Sequence, residues 1–189
     1  MATKPVSVCL LAAIAAAIAV IGAASLAPRE AKAAMVTVKT CGGGNIEVNG
    51  REKRMLELHN KARTVRGLEA LCVHPALTKA ARAHSQEMLD KDYSAHNSFN
   101  GESVKQRLER FGYSFSGYSY YVYGENITWG CGSLGTVDYR FDSWMSSSGH
   151  RGNILNTKFR QVGIGVRTGT FKTCTHGTMY TVDFGTRRR

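Results

Sequence analysis

No CxxC pair occurs in the 189 residues, which argues against a redox dithiol or a zinc ribbon. No GxSxG elbow is present, so a serine hydrolase of that type is excluded. The glycine-rich run GCGSLG (130–135) lacks the Lys-Ser/Thr of a phosphate-binding loop. Internal repeats, linkers that would imply a second domain, and nucleic-acid-binding motifs are all missing. Proline is scarce at three, and only Pro75 falls beyond residue 33. Acidic side chains are the minority charge, 14 Asp+Glu against 25 Lys+Arg.

Charge is also absent from Val6 to Ala27, a run rich in Ala, Ile and Val that follows Lys4. With Ala31-Lys32-Ala33 as a small-x-small cleavage site, residues 1–33 read as a secretory signal. The run is also long enough to span a bilayer, which leaves an uncleaved N-terminal anchor open. Export follows on either reading. Residues 1–33 hold Lys4, Arg29, Lys32 and Glu30, so the remainder carries 22 basic against 13 acidic side chains. That balance suits anionic partners such as cell-wall polymers or acidic lipid headgroups, or, with the basic residues scattered apart from Arg187 to Arg189, a solvated surface.

Cys9 lies in the leader segment, which leaves Cys41, Cys72, Cys131 and Cys174, an even number that suits an oxidising compartment. Four cysteines permit three connectivities. Cys41 with Cys72 and Cys131 with Cys174 is the favoured set: the first pair flanks one expected helix, and the second ties a site loop to a C-terminal hairpin.

Apolar spacing divides the rest of the chain. Residues 34–50, with Cys41 and Gly42 to Gly44, read as an N-terminal arm. Met55, Leu58, Ala62 and Val65 form the stripe of a first helix over 51–66. His74-Pro75 starts a second, ending near Asp92, with Leu77, Ala80, Ala81, His84 and Met88 on one face. His84 and Glu87 stand three apart there, but apolar neighbours make His84 a core histidine rather than a metal ligand. A third helix is expected over 102–111. The tyrosine-rich stretch YSFSGYSYYVYGEN follows, suited to lining a cleft for sugar rings or lipid, or to an edge strand with half its aromatics buried. Strands are expected at 161–167 and 179–184 as an antiparallel hairpin, with Gly163 and Gly165 admitting a second backbone at close range.

The chemistry-bearing stretch runs from Gly124 to His150. Glu125 sits between the turn-forming Gly124 and Asn126, and Val137, Phe141, Trp144 and Met145 recur at helical spacing. A polar SSSG turn then leads to His150. His96, in the loop DYSAHNSFNG, completes a set of two imidazoles and a carboxylate. Such a set suits either a divalent ion with an open position or proton transfer.

In order along the chain, LHNKAR (58–63), HPALTKAARAHSQEM (74–88), His96, GENI (124–127), WMSSSGHRGNIL (144–155), FRQVGIGV (159–166) and YTVDFG (180–185) resemble the CAP superfamily. This is the family of cysteine-rich secretory proteins, antigen 5 and plant pathogenesis-related proteins, and the compact WMxSxGHRxNIL form is similar to its bacterial, SCP-like branch. The resemblance covers about Arg51 to Gly185. It implies an α+β fold, an α/β/α three-layer sandwich, over 51–186. It also implies that His59, Asn60 and Arg63 support packing and hydrogen bonding.

By motif, the family's two cavity histidines correspond to His96 and His150, and one of its two acids to Glu125. The resemblance implies weakly held zinc or another divalent ion on His96 and His150, with Glu125 orienting or deprotonating a bound water. The second acid of the eukaryotic pattern falls on Ser147, which removes a general base. Asp142 shares the helix but points away from the Trp144 and Ser147 side. Asn126-Ile127-Thr128 matches a glycosylation sequon, yet Asn126 is already taken by the GENI motif. Three functions are therefore expected in order: an extracellular binding module for lipid or cell-wall ligands, a metal-dependent hydrolase of peptide or wall polymer, and a non-catalytic scaffold.

Overall fold

A computed structural model of the chain describes Met1 and residues 34–189. The leader segment, read as a signal or an anchor, otherwise lies outside the described residues. Among the described residues no helix is long and apolar enough to cross a membrane.

The N-terminal arm is folded rather than extended. Strands β1 (Met35–Lys39) and β2 (Asn45–Asn49) pair antiparallel, with the glycines Gly42 to Gly44 in the turn between them. Helix α1 (Gly50–Thr64) starts directly from β2 through a capping box: Asn49 accepts from the Glu52 amide, and Glu52 accepts from the Asn49 amide. Beyond the cap, Glu52 is buried and receives Arg82 and Arg167, so the hairpin end is bolted to the core by charge as well as by chain.

The short strand β3 (Cys72–Val73) follows, then α2 (Pro75–Asp90), with Pro75 in its first turn and His74 as its N-cap. After α3 (Val104–Arg110) comes β4 (Tyr120–Cys131), then α4 (Val137–Ser146) and α5 (Ser148–Ile154). The chain ends in β5 (Gln161–Phe171) and β6 (Cys174–Arg188), longer than their apolar cores suggest because the hairpin pairs almost to its tip. The sheet order is β3-β5-β6-β4, parallel at β3-β5 and antiparallel elsewhere.

The period-two alternation of β5 and β6 sorts the two faces. Val162, Ile164, Val166, Tyr180, Val182 and Phe184 pack with Met55, Phe141, Trp144 and Ile154 of α1, α4 and α5. On the other face α2 lies so close that a Cβ on Gly163 would stand 2.0 Å from the Leu77 carbonyl carbon, and one on Gly165 2.3 Å from that of Ala81. The two glycines are what allow helix backbone to touch strand backbone. Leu77, Ala80, Leu108, Tyr113 and Phe115 fill one end of that layer, and Met88, Leu89, Phe171 and Met179 the other. The expected three-layer α/β/α sandwich is the observed one.

Both favoured disulfides form. Cys41–Cys72 ties the N-terminal hairpin to β3, where Thr40 also bridges Val73, and Cys131–Cys174 joins the end of β4 to the start of β6. Bridges closing loops of 31 and 43 residues each contribute about 2–4 kcal/mol by restricting the unfolded chain.

Candidate functional site

The site lies over β4, the free edge of the sheet. Glu125 is not a turn residue: it stands in the middle of β4, paired across the ladder with Asp183 of β6. Odd-numbered β4 residues therefore point, with Asp183, toward α2 and α3, while Gly124 and Asn126 point toward α5. Glu125 and His150 lie on different elements, because α4 stops at Ser146 and His150 belongs to α5.

Glu125 is held on both oxygens. His96 Nδ1 lies 2.7 Å from Oε1, and the Arg107 guanidinium donates to Oε2. Arg107 also donates to the His96 carbonyl at 2.9 Å and to Ser98 Oγ at 3.3 Å, so a single side chain fixes both the carboxylate and the loop that carries the imidazole. The side chains of Glu125 and Arg107 are each 1 % exposed, that of His96 56 %. The arrangement is a buried ion pair with an imidazole at its mouth. Hydrogen bonding to Glu125 raises the proton affinity of His96 above that of a free imidazole.

His150 is positioned from the opposite layer. Arg63, fully buried in α1, donates to the carbonyls of Ile154, Asn156 and Phe159 at 2.9, 2.9 and 3.1 Å, which pins the chain leaving α5. Asn126, itself buried, donates to the His150 carbonyl at 3.0 Å, and Asn153 donates to Asn126 Oδ1 and to the Glu125 carbonyl. The sequon asparagine is thus an internal strut. His150 Nδ1 and Ser147 Oγ are 2.9 Å apart, so the position that carries an acid in the eukaryotic pattern still contacts the histidine, through a hydroxyl. Burial, and then the charge of His96, lower the proton affinity of His150.

Two residues of this site went unremarked in the sequence. Arg107 falls at i+3 from Val104 and one before Leu108, so a charge on the apolar stripe of α3 was the available signal. Asp183, alternating with Val182 and Phe184, lies on the face of β6 that α2 covers, and it is fully buried. Neither of its carboxyl oxygens has a hydrogen-bonding partner among the described residues. Burial, and then the nearby Glu125 charge, push its proton affinity well above the ordinary carboxylate range.

The supporting histidines behave as the motif implied. His59 is enclosed by Phe141, Trp144 and Phe184 and shares a 2.8 Å hydrogen bond with the Met55 carbonyl, while Asn60 exchanges two hydrogen bonds with Leu71. His84 is a core residue whose Nε2 lies 2.9 Å from the Ala95 carbonyl, steadying the loop before His96. Asp142 is exposed and takes no part.

Among the described residues no group of three His, Cys, Asp or Glu side chains is arranged to hold a metal ion. Glu125 has one oxygen on His96 and the other on Arg107. His96 and His150 each turn Nδ1 toward a protein partner, and Nε2 of each makes no hydrogen bond among the described residues. Two imidazole nitrogens are all that the site offers an ion.

A family model described as the cysteine-rich secretory protein family, CAP, matches residues 56–184. The uncharacterized protein YkwD of Bacillus subtilis is 39 % identical over 127 residues, 67 % of this chain but 46 % of that protein. An extracellular protein containing an SCP domain from Bacillus anthracis is 26 % identical, with a TM-score of 0.57 over 74 % of this chain and 41 % of that one. An outer surface protein of Borrelia burgdorferi shares the fold at 18 % identity, with a TM-score of 0.61 over 82 % of this chain and 100 % of its own. The chain thus spans less than half the length of the two Bacillus relatives. By the family match, with the sandwich and the paired histidines at the β4 edge, this chain belongs to the CAP superfamily.

Proposed function

We propose that the chain is an exported CAP-domain binding module that takes an extracellular lipid or cell-wall ligand at the His96–His150 edge of β4. The observation that carries this reading is the state of Glu125. With one oxygen on His96 and the other on Arg107, it orients an imidazole and neutralises a guanidinium, the role of a brace rather than of an unengaged base. Ser147 in place of a second acid points the same way. Export is supported by the signal-like leader, the two disulfides and the extracellular description of the Bacillus anthracis relative. The test is ligand extraction from the purified, disulfide-formed protein beside a Glu125→Gln variant. A binder carries extractable ligand; a hydrolase instead loses turnover in that variant with its fold intact.

The hydrolase reading keeps one observation in its favour. The proton affinity of His96 is raised and that of His150 lowered, the two opposite directions that an acid and a base would need. A divalent ion would bind through the two free Nε2 atoms, where it would act as a Lewis acid toward a carbonyl or phosphoryl oxygen. Held by two imidazoles, it would exchange readily.

A further inference from the structure

Resting on the export reading above, we infer that the α3-side face of β4 is a binding track for an acidic polysaccharide, running from Lys105 and Arg187 along Tyr121 and Tyr123 to His96. The strand itself lays out the track. Tyr121, Tyr123 and Glu125 are alternate residues and so share a face at steps of about 7 Å, ending where Glu125 holds His96. Tyr121 and Tyr123 are 39 and 40 % exposed, large rings left in solvent on an edge strand. They are nevertheless braced: Phe115, almost fully buried, packs against Tyr121 at 4.7 Å and Tyr123 at 5.5 Å between ring centroids. Rings fixed in this way lose little freedom on meeting a ligand.

Charge completes the surface. The Lys105 ammonium lies 5.1 Å from the Tyr121 centroid and 3.3 Å from its hydroxyl, and Arg187 is the residue paired with Tyr121 across the ladder. Among the described residues Lys105 forms no ion pair with a carboxylate and its charge is open to an outside anion, while Arg187, likewise without a carboxylate, donates to the Ser114 carbonyl and stacks on Tyr113 and Tyr118 beside the ring row. Aromatic faces at strand spacing suit the apolar faces of successive sugar rings, tyrosine hydroxyls suit their hydroxyls, and the cations suit a carboxylate or phosphate substituent. A lipid headgroup would use the cations but leave the ring row idle. Tyr120 and Arg188 lie on the opposite face of the same strand pair and serve as an internal control.

The experiment is calorimetry on the full disulfide-formed protein at one fixed salt concentration, with three probes. Oligogalacturonate offers rings and charge, dextran rings alone, and poly(glycerol phosphate) charge alone. Oligogalacturonate is expected to bind, and the Tyr121→Ser/Tyr123→Ser variant to weaken it about tenfold or more, while Tyr120→Ser leaves it unchanged. Lys105→Gln/Arg187→Gln should weaken binding and flatten its salt dependence. Thermal melts of each variant confirm folding, and Tyr121→Phe/Tyr123→Phe keeps the packing if the serine variant melts early. Equal binding of poly(glycerol phosphate) or of oligo-dT, or indifference to the tyrosine variants, overturns the proposal. Cell fractionation reads export separately, so a cytoplasmic protein that still binds oligogalacturonate would sink the export reading and leave the track standing.

Discussion

Asp183 faces Glu125 directly across the β4–β6 ladder, two buried carboxyl groups of which one, Glu125, is paired with the Arg107 guanidinium. Like charges in directly opposed positions destabilise a sheet, and burial multiplies the cost. The pair is tolerable because burial and the Glu125 charge raise the proton affinity of Asp183, which favours its neutral form, while Glu125 is paired on both oxygens. This lets one arginine balance what would otherwise be two charges.

Removing the proton question tests that account. Asp183→Asn keeps the shape and is expected to leave stability at low pH little changed and to raise it on the alkaline side. The sign follows from linkage: an acid whose proton affinity is raised on folding contributes stability that is lost as pH rises through its folded value. Urea denaturation at several pH values checks it, and a variant no more stable than the parent on the alkaline side would show that the proton affinity of Asp183 is not raised on folding.

Arg107→Met strands Glu125 in the core without its cation. The expected loss is about 3–5 kcal/mol, with His96 released from its loop position. Combining it with Glu125→Gln should cost less than the sum of the two single changes, since each removes the reason for the other. Additive losses in chemical denaturation would mean that the two side chains do not act as a unit.

Acid should unfold the protein from its histidines. Burial lowers His59 to about 4, and burial with the Arg187 charge lowers His74 to about 4. Groups depressed in this way contribute stability that is present above about pH 6.5 and lost as pH falls toward 4, on the order of 3 kcal/mol for the fully buried His59. His96 acts in the opposite sense, since its raised proton affinity contributes below about pH 6.5 and fades as pH rises through its folded value. His59→Gln should flatten the acid limb of a melting-temperature profile, and an unchanged limb would clear His59 of the role.

Gly165→Ala tests the contact of α2 with the sheet. A methyl group 2.3 Å from the Ala81 carbonyl carbon must push the helix outward, with an expected loss of about 1–3 kcal/mol or more. Gly152→Ala, in α5 with nothing within 4 Å, is expected to be neutral or to stabilise by up to about 1 kcal/mol. Thermal melts of the two variants decide it.

Zinc uptake by the metal-free protein should be weak and should disappear in the His96→Ala/His150→Ala variant. Calorimetry and elemental analysis measure it. Tight, stoichiometric binding would require a third ligand and would return Glu125 to a role at the metal.

Much of this was local and therefore legible. The Pro75 start, the stripe of α2 and the two close-approach glycines all follow from short patterns. In each, the physical cause lies within a few residues or within a recognisable motif. Where Glu125 sits was misleading locally, because Gly124 and Asn126 suggest a turn, whereas Phe159 and Asn153 pack where a side chain at 124 would go and Asn126 is an internal strut to α5.

What the tertiary structure alone decided is the polarity of two faces. Asp183 occupies the polar side of an alternating strand and Arg107 a charged position on a seven-residue helix, and nothing within either segment says that another layer will cover it. Only the packing of α2 and α3 over β6 and β4 brings Asp183, Glu125 and Arg107 into one dry cluster. There the low dielectric turns three unremarkable residues into the charge set that holds His96 at the edge of the sheet.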